Sequence, residues 1–186
     1  MTSYYVLKES ISKLEKQSIH SQEEQLYQML QVYLNLFPVL NAYFFRYSPI
    51  GYLAEGVILV DSNGLHNIGD MRDDIRTLPV VYPALHERRA KYCSGIEYFK
   101  RTSSKYIIPT SVNSVIVVPF TYKSIVIGYI CSHEKKKRTV IDEKLLDSFT
   151  EFGKLAGNLI IQSNSSVESP LLSRRELEVM KRISWG

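Results

Sequence analysis

Two cysteines, Cys93 and Cys131, and four histidines are the side chains best suited to metal or redox chemistry in this 186-residue chain. Cys131 and His133 stand two apart and share a face if the segment is a strand, while His86 and Cys93 stand seven apart, near two helical turns. A structural zinc site needs four such ligands, and neither pair supplies that count. His133 therefore reads as the start of a solvated turn and both cysteines as small buried hydrophobes. Two cysteines are also too few for a disulfide scaffold. The run Lys135, Lys136, Lys137, Arg138 could meet phosphate or an acidic partner, but four cations in one turn read as a solvated hairpin end, and Arg88, Arg89, Lys91 and Lys100, Arg101 read the same way. No Gly-rich phosphate loop, nucleophile elbow or zinc spacing occurs. With no catalytic constellation, the chain is not expected to be an enzyme.

Composition narrows the classes further. Hydrophobic residues make up 45% of the chain and charged residues 23%, enough for one domain with a real core plus appendages. The formal charge of +4, spread among carboxylates, is too diffuse for a nucleic-acid footprint. No apolar run approaches the roughly 20 residues needed to cross a bilayer, and the N-terminus lacks the order of a signal peptide. A soluble, cytoplasmic protein that does not contact membrane is expected.

Residues 1–20 receive no firm assignment. From Ser21 the pattern is helical, with Ser21 as cap, Glu24 three residues later, and Leu26, Met29, Leu30, Tyr33 and Phe37 recurring at three and four until Pro38. Ala42 to Tyr47 and Gly56 to Val60 read as strands, followed by a turn at Asp61 to Gly64. Pro83 to Phe99 reads as helical around Leu85 to Lys91, with Gly95 interrupting before Ile96. Ser114 to Phe120 and Ile125 to Ser132 are strongly apolar strands, and the four residues between them imply a hairpin. Lys144 to Gln162 is a long amphipathic helix with Leu145, Phe149, Phe152, Ala156 and Leu159 on one face. Ser163 to Pro170 is polar and proline-terminated, as a linker would be.

The last fifteen residues, LSRRELEVMKRISWG, resemble the opening of a LuxR-type (NarL/FixJ-like) DNA-binding domain through Leu172, Ser173, Arg175, Glu176, Glu178, Val179, Met180, Ile183 and Gly186. Ser173 and Glu176 have capping-box spacing, and Leu172, Val179, Met180 and Ile183 form one helical stripe. In that family a recognition helix, which lies in the major groove, follows this first helix. The resemblance implies a regulator truncated within its DNA-binding domain, so that DNA would be bound only through the missing C-terminal part.

The stretch Ser114 to Ile160 resembles a GAF domain, a sensory module related to PAS domains, through Pro119, Gly128, Leu146, Phe149 and Ala156. The resemblance extends over about residues 21–162. It implies an α+β fold: an antiparallel sheet of six strands or nearly so, helices packed on one face, and a small-molecule pocket on the other. The implied organisation is an N-terminal segment (1–20), a sensory domain (21–163), a linker (164–171) and the first helix of the output domain (172–186). Period two groups Val126, Gly128 and Ile130 on one strand face and Ile127, Tyr129 and Cys131 on the other. Gly128 offers a place for a helix to approach, which puts Tyr129 and Cys131 toward the pocket. The pocket candidates are Phe45, Tyr98, Phe99, Val118, Tyr129 and Cys131, although any single apolar or aromatic residue of this kind is more often plain core.

No cofactor is implied. Cyclic-nucleotide-binding GAF domains carry an Asn-Lys, Phe, Asp-Glu signature, of which only Asp142 and Glu143 are present. Some free-standing GAF proteins are methionine sulfoxide reductases, and two cysteines would make a disulfide cycle possible, but an attached helix-turn-helix argues for regulation. The expectation is a homodimeric regulator that senses a small-molecule effector. Its rivals are a ligand-free dimerisation module filled by its own aromatics and a cysteine-based redox sensor.

Overall fold

Apolar residues spaced at three and four build the helices that cover one sheet face. The computed structural model describes residues 4–17, 21–101, 113–135 and 140–164. Leu7, Ile11 and Leu14 are the buried stripe of α1 (Tyr4–Glu15), a helix in the segment left unassigned above. In α2 (Gln22–Leu36), the Ser21 side chain accepts a hydrogen bond from the Glu24 backbone, and Leu26, Met29, Leu30 and Tyr33 are buried. The long α5 (Glu143–Asn164) starts where the Asp142 carboxylate accepts the Leu145 N–H at 2.9 Å, and it buries Phe149, Phe152, Ala156, Leu159 and Ile160. No helix among the described residues is long and apolar enough to cross a membrane.

Seven strands form one antiparallel sheet: β1 (Ala42–Ser48), β2 (Leu53–Asp61), β3 (Gly64–Asn67), β4 (Arg72–Asp74), β5 (Lys91–Ser94), β6 (Ser114–Tyr122) and β7 (Ile125–Ser132). The order is β3-β2-β1-β7-β6-β5, with β4 also paired to β2. Helices α1, α2 and α5 pack on one face, where Phe44, Ile58, Val60, Ile116, Val118, Phe120, Ile127 and Ile130 join them in one apolar core. On the far face a second core gathers Phe45, Tyr47, Val115, Val117, Val126 and Tyr129 under a 3-10 turn (Ile75–Thr77), α3 (Val81–Glu87) and α4 (Gly95–Arg101). The chain is thus α+β, with helices on both faces and the longer ones on one.

The expected helix from Leu85 to Lys91 is corrected. α3 stops at Glu87 because Arg88 turns left-handed at φ 55°, and Lys91 to Ser94 pair instead with Ser114 to Val117. The hairpin β6–β7 has a two-residue loop, Lys123 and Ser124, rather than four residues. The period-two sets are also corrected. Phe120 pairs with Gly128 but Thr121 with Val126, so Ile127 is an extra residue, and this bulge sends Val126 to the far face and Ile127 to the helix face.

Candidate functional site

Cross-strand partners in an antiparallel sheet point to the same side, so the far face can be read row by row. One row runs Pro119, Tyr129, Phe45, Gly56 across β6, β7, β1 and β2. Its two rings stack with centroids 5.0 Å apart and planes inclined by 11°. A second row runs Val117, Cys131, Tyr43. A third runs Tyr47, Ala54, Asp73 across β1, β2 and β4. Tyr98 reaches the same core from α4 and is buried.

The far face therefore brings together Phe45, Tyr98, Tyr129 and Cys131. It does not bring in Val118, which lies on the helix face between Val117 and Pro119, with its methyl against α5 at Gly153. Phe99 belongs to α4, and its side chain lies outside the described residues. Gly128 does lie on the helix face, but the atoms nearest an added Cβ belong to β1 rather than to a helix. An added Cβ would meet the Phe45 carbonyl oxygen at 2.7 Å and the Phe44 ring at 2.8 Å. The close helix approach is made instead by Gly153 and Gly157 of α5.

Sequence reasoning missed Tyr47 and Asp73. Tyr47 stands two residues from Phe45 on a strand already recognised, so period two was signal enough. Asp73 carried no signal, because β4 has only three residues. Tyr47 is 7% exposed and Tyr129 1%. Burial holds the Tyr43, Tyr47 and Tyr129 hydroxyls above the ordinary phenol range, with smaller contributions in the same direction from Asp61 and Cys131 on Tyr43, from Tyr52, Tyr82 and Asp74 on Tyr47, and from Cys131 and Asp73 on Tyr129. All three remain protonated near neutral pH.

The cysteines and His133 differ from expectation. Cys131 and Cys93 are half-buried at the edge of the far-face core, and burial pushes the Cys131 thiol up to about 12. They pair with Val117 and Val115 from opposite sides of β6, so their Cα atoms stand two strand spacings apart, about 10 Å or more. A disulfide needs Cα atoms within about 7 Å. His133 is not in a solvated turn. It is half-buried, its ring edge-on to Tyr43, and its Nδ1 and backbone N–H both lie 3.1 Å from the Asn41 side-chain oxygen. The Lys135 to Arg138 run lies outside the described residues beyond Lys135. Among the described residues, no group of three or more His, Cys, Asp or Glu side chains could hold a metal ion.

Burial lowers the His133 pKa from 6.5 to about 4. The unfolded chain then takes up a proton at higher pH than the folded one, so stability is unaffected above about 6.5 and falls as pH drops toward 4. Urea unfolding from pH 7 to 4 should show this loss, and His133→Asn should flatten the difference between the two ends. Parallel curves for both proteins would contradict it.

The far face connects to the helix face through β7. Ser132, next to Cys131 but pointing the other way, shares a buried 2.7 Å hydrogen bond with the Tyr33 hydroxyl of α2. The Tyr33 ring in turn packs against Phe149 and Phe152 of α5, at centroid distances of 5.8 and 5.3 Å. Tyr33→Phe should cost about 1–3 kcal/mol by stranding the Ser132 hydroxyl, and Ser132→Ala in the same chain should restore part of that. Strictly additive losses in denaturant titrations would show that the two hydroxyls act independently.

No protein-family model matches the chain, and no curated protein matches it in sequence. Solved structures match its fold. The GAF domain of a phosphoenolpyruvate-protein phosphotransferase from Acinetobacter superposes with a TM-score of 0.62 at 14% identity, over 87% of this chain and 94% of that one. The phycocyanobilin-bound GAF domain of a cyanobacterial phytochrome gives 0.63 at 14%, over 88% and 98%. Free methionine-R-sulfoxide reductase from Neisseria meningitidis, in complex with its substrate, gives 0.59 at 14%, over 88% and 93%. At such identities the likeness is one of fold: this chain has a GAF fold.

Proposed function

We propose that a GAF-fold chain of this kind is the sensory and dimerisation part of a bacterial transcription regulator. In this reading a small molecule held on the far face by Phe45, Tyr98, Tyr129 and Cys131 controls a LuxR-type DNA-binding domain that begins at Leu172. The observation that carries it is the construction of β7. Tyr129 and Cys131 look into the far-face core, while Ser132, between Cys131 and His133, is bonded to Tyr33, whose ring rests on α5. A ligand that shifts β7 would change the seat of α5, the helix leading toward the Leu172 to Gly186 motif. Pairing with a second copy would suit DNA half-sites related by two-fold symmetry. The ligand must prefer one seat of α5, since equal affinity for both shifts nothing, and complete switching needs about a 10⁴-fold preference.

Two observations favour other readings. The Phe45–Tyr129 stack already fills part of the far face, as a ligand-free dimerisation module would require. One fold neighbour is a methionine sulfoxide reductase. Against redox chemistry stand the separation of Cys93 from Cys131 and the high pKa of the Cys131 thiol, which leaves little thiolate near neutral pH. Native mass spectrometry of the chain from its expression host separates the readings. A dimer with retained small-molecule mass is expected. A dimer that stays bare through a ligand screen would favour the ligand-free module, and a monomer throughout the micromolar range would end the dimer mechanism. An oxidant response abolished by Cys93→Ser with Cys131→Ser would move the chain to the redox class.

A further inference from the structure

Between α3 and β5 the chain crosses from one side of the sheet to the other in three residues, Arg88 to Ala90. Val81, Ala84 and Leu85 of α3 belong to the far-face core, whereas Ala90 is buried in the core that α1, α2 and α5 cover. The start of this crossing is fixed to α3. Arg88 turns left-handed, where glycine is usual; its N–H bonds the Leu85 carbonyl at 3.2 Å, and the Arg89 N–H bonds that of Ala84 at 3.1 Å. These bonds satisfy two carbonyls of the helix end, so the Arg89 backbone follows α3 when α3 moves. The end of the crossing is fixed to α5. The Arg89 guanidinium donates to Glu143 and Asp147 at 2.6 and 2.9 Å, and the Ala90 N–H donates to the Thr150 hydroxyl at 3.0 Å inside the core. Glu143, Asp147 and Thr150 are spaced by four and three, so one stripe along the first two turns of α5 receives all three bonds. Arg88 adds a fixed point on the sheet, donating Nη1 to the Ser124 carbonyl of the β6–β7 loop at 2.9 Å.

We infer that Arg88 to Ala90 form a strap through which α3, the helix lying over the far-face core, moves the first turns of α5 directly, without deforming the sheet between them. The bonds contribute unequally. The Arg89 pairs are exposed, and such pairs are weak and screened by salt, so they set where along α5 the strap is seated. The Ala90–Thr150 bond is buried, and breaking it would leave a backbone N–H without a partner in apolar surroundings, so it holds strap and helix together when α3 moves. Just beyond this stripe α5 rests on the backbone of β6 at Gly153 and Gly157. A pull on Glu143 to Thr150 therefore tilts α5 about that contact and displaces the end that leads toward Leu172. The inference rests on the ligand-sensing reading above for its signal, and gives that signal a route to α5 besides β7.

Amide hydrogen exchange of the full chain, followed by NMR near pH 7, tests it without a ligand. Leu85→Val, which removes one methylene from the buried side of α3, should lower the protection of the Asp147 to Glu151 amides at least about fivefold relative to the Leu26 to Leu30 amides of α2. With the strap cut by Arg89→Gln and Thr150→Val together, the same Leu85→Val change should move that ratio by about twofold or less. Thr150→Ser, which keeps the hydroxyl, should leave the parent response in place. Arg89→Gln alone, an exposed change that keeps the core intact, should already reduce the response and covers the case in which the combined variant does not fold. An equal fall in the parent and the cut chain would show that α3 reaches α5 through the sheet, and no fall in the parent would show that it does not reach α5; either result overturns the strap. Both leave the ligand-sensing reading standing, since no ligand enters the measurement, and that reading fails separately if the chain retains and binds no small molecule.

Discussion

Gly157→Ala should destabilise the protein by about 3 kcal/mol or more, although the same change in an ordinary helix interior stabilises by roughly 1 kcal/mol. The sign is decided by what a Cβ meets. At Gly157 it would lie 2.2 Å from the Thr121 carbonyl oxygen, 2.7 Å from its carbon and 2.8 Å from its nitrogen; at Gly153 it would lie 2.1 Å from the Pro119 oxygen. These are backbone atoms of β6, a strand paired on both sides, so no side-chain rotation relieves the clash. The helix must lift by about an ångström, loosening Phe149, Phe152, Ala156 and Leu159 together, since close-packed interiors do not absorb such shifts. Gly153→Ala should behave alike. A thermal midpoint lowered by roughly 6–12 °C is expected for each. A midpoint at or above that of the parent would mean that α5 does not approach β6 this closely.

Phe152→Ala should cost about 3–5 kcal/mol, a large part of the 5–15 kcal/mol by which domains are stable. Phe152 is fully buried and joins three elements, with ring centroids 5.3 Å from Tyr33, 5.7 Å from Phe37 and 6.1 Å from Phe120. Removing it leaves a cavity where α2, α5 and β6 meet, and the surrounding rings are too well fixed by one another to close it. Phe152→Leu keeps most of the volume and should cost less than half as much. Urea titrations would show the midpoint fall at unchanged slope. A loss below about 1 kcal/mol for the alanine variant would show that this junction collapses freely and does not hold α5 in one seat. The proposed signal path depends on that seat, so a ligand found on the far face should lose its influence on α5 in this variant.

Helices α2 and α5 and the hairpin β6–β7 were legible because their signals are local. Ser21 with Glu24, Pro38, and the apolar stripe from Phe149 to Leu159 each state their structure within a few turns. β3, β4 and β5, of four, three and four residues, were not legible. A strand that short carries too few alternations to read, and Lys91 to Ser94 are extended because β6 offers an edge to pair with. Of the candidate site, Phe45, Tyr98, Tyr129 and Cys131 do share the far-face core, while Val118 is on the other side.

Amino-acid order alone determined which residues are apolar and with what period, and so the GAF-like α+β class, the two aromatic-rich strands, the closing helix and the resemblance of Leu172 to Gly186 to a LuxR-type opening. These depend on contacts between neighbours in sequence. Tertiary structure decided the sidedness of the site. The extra residue Ile127 moves Val126 from one face to the other, the α5 glycines rather than Gly128 receive the close approach, and β4 adds Asp73 to the row of Tyr47 and Ala54. A bulge and a three-residue strand exist only because of partners far along the chain, whose pairing energy is absent from any local window.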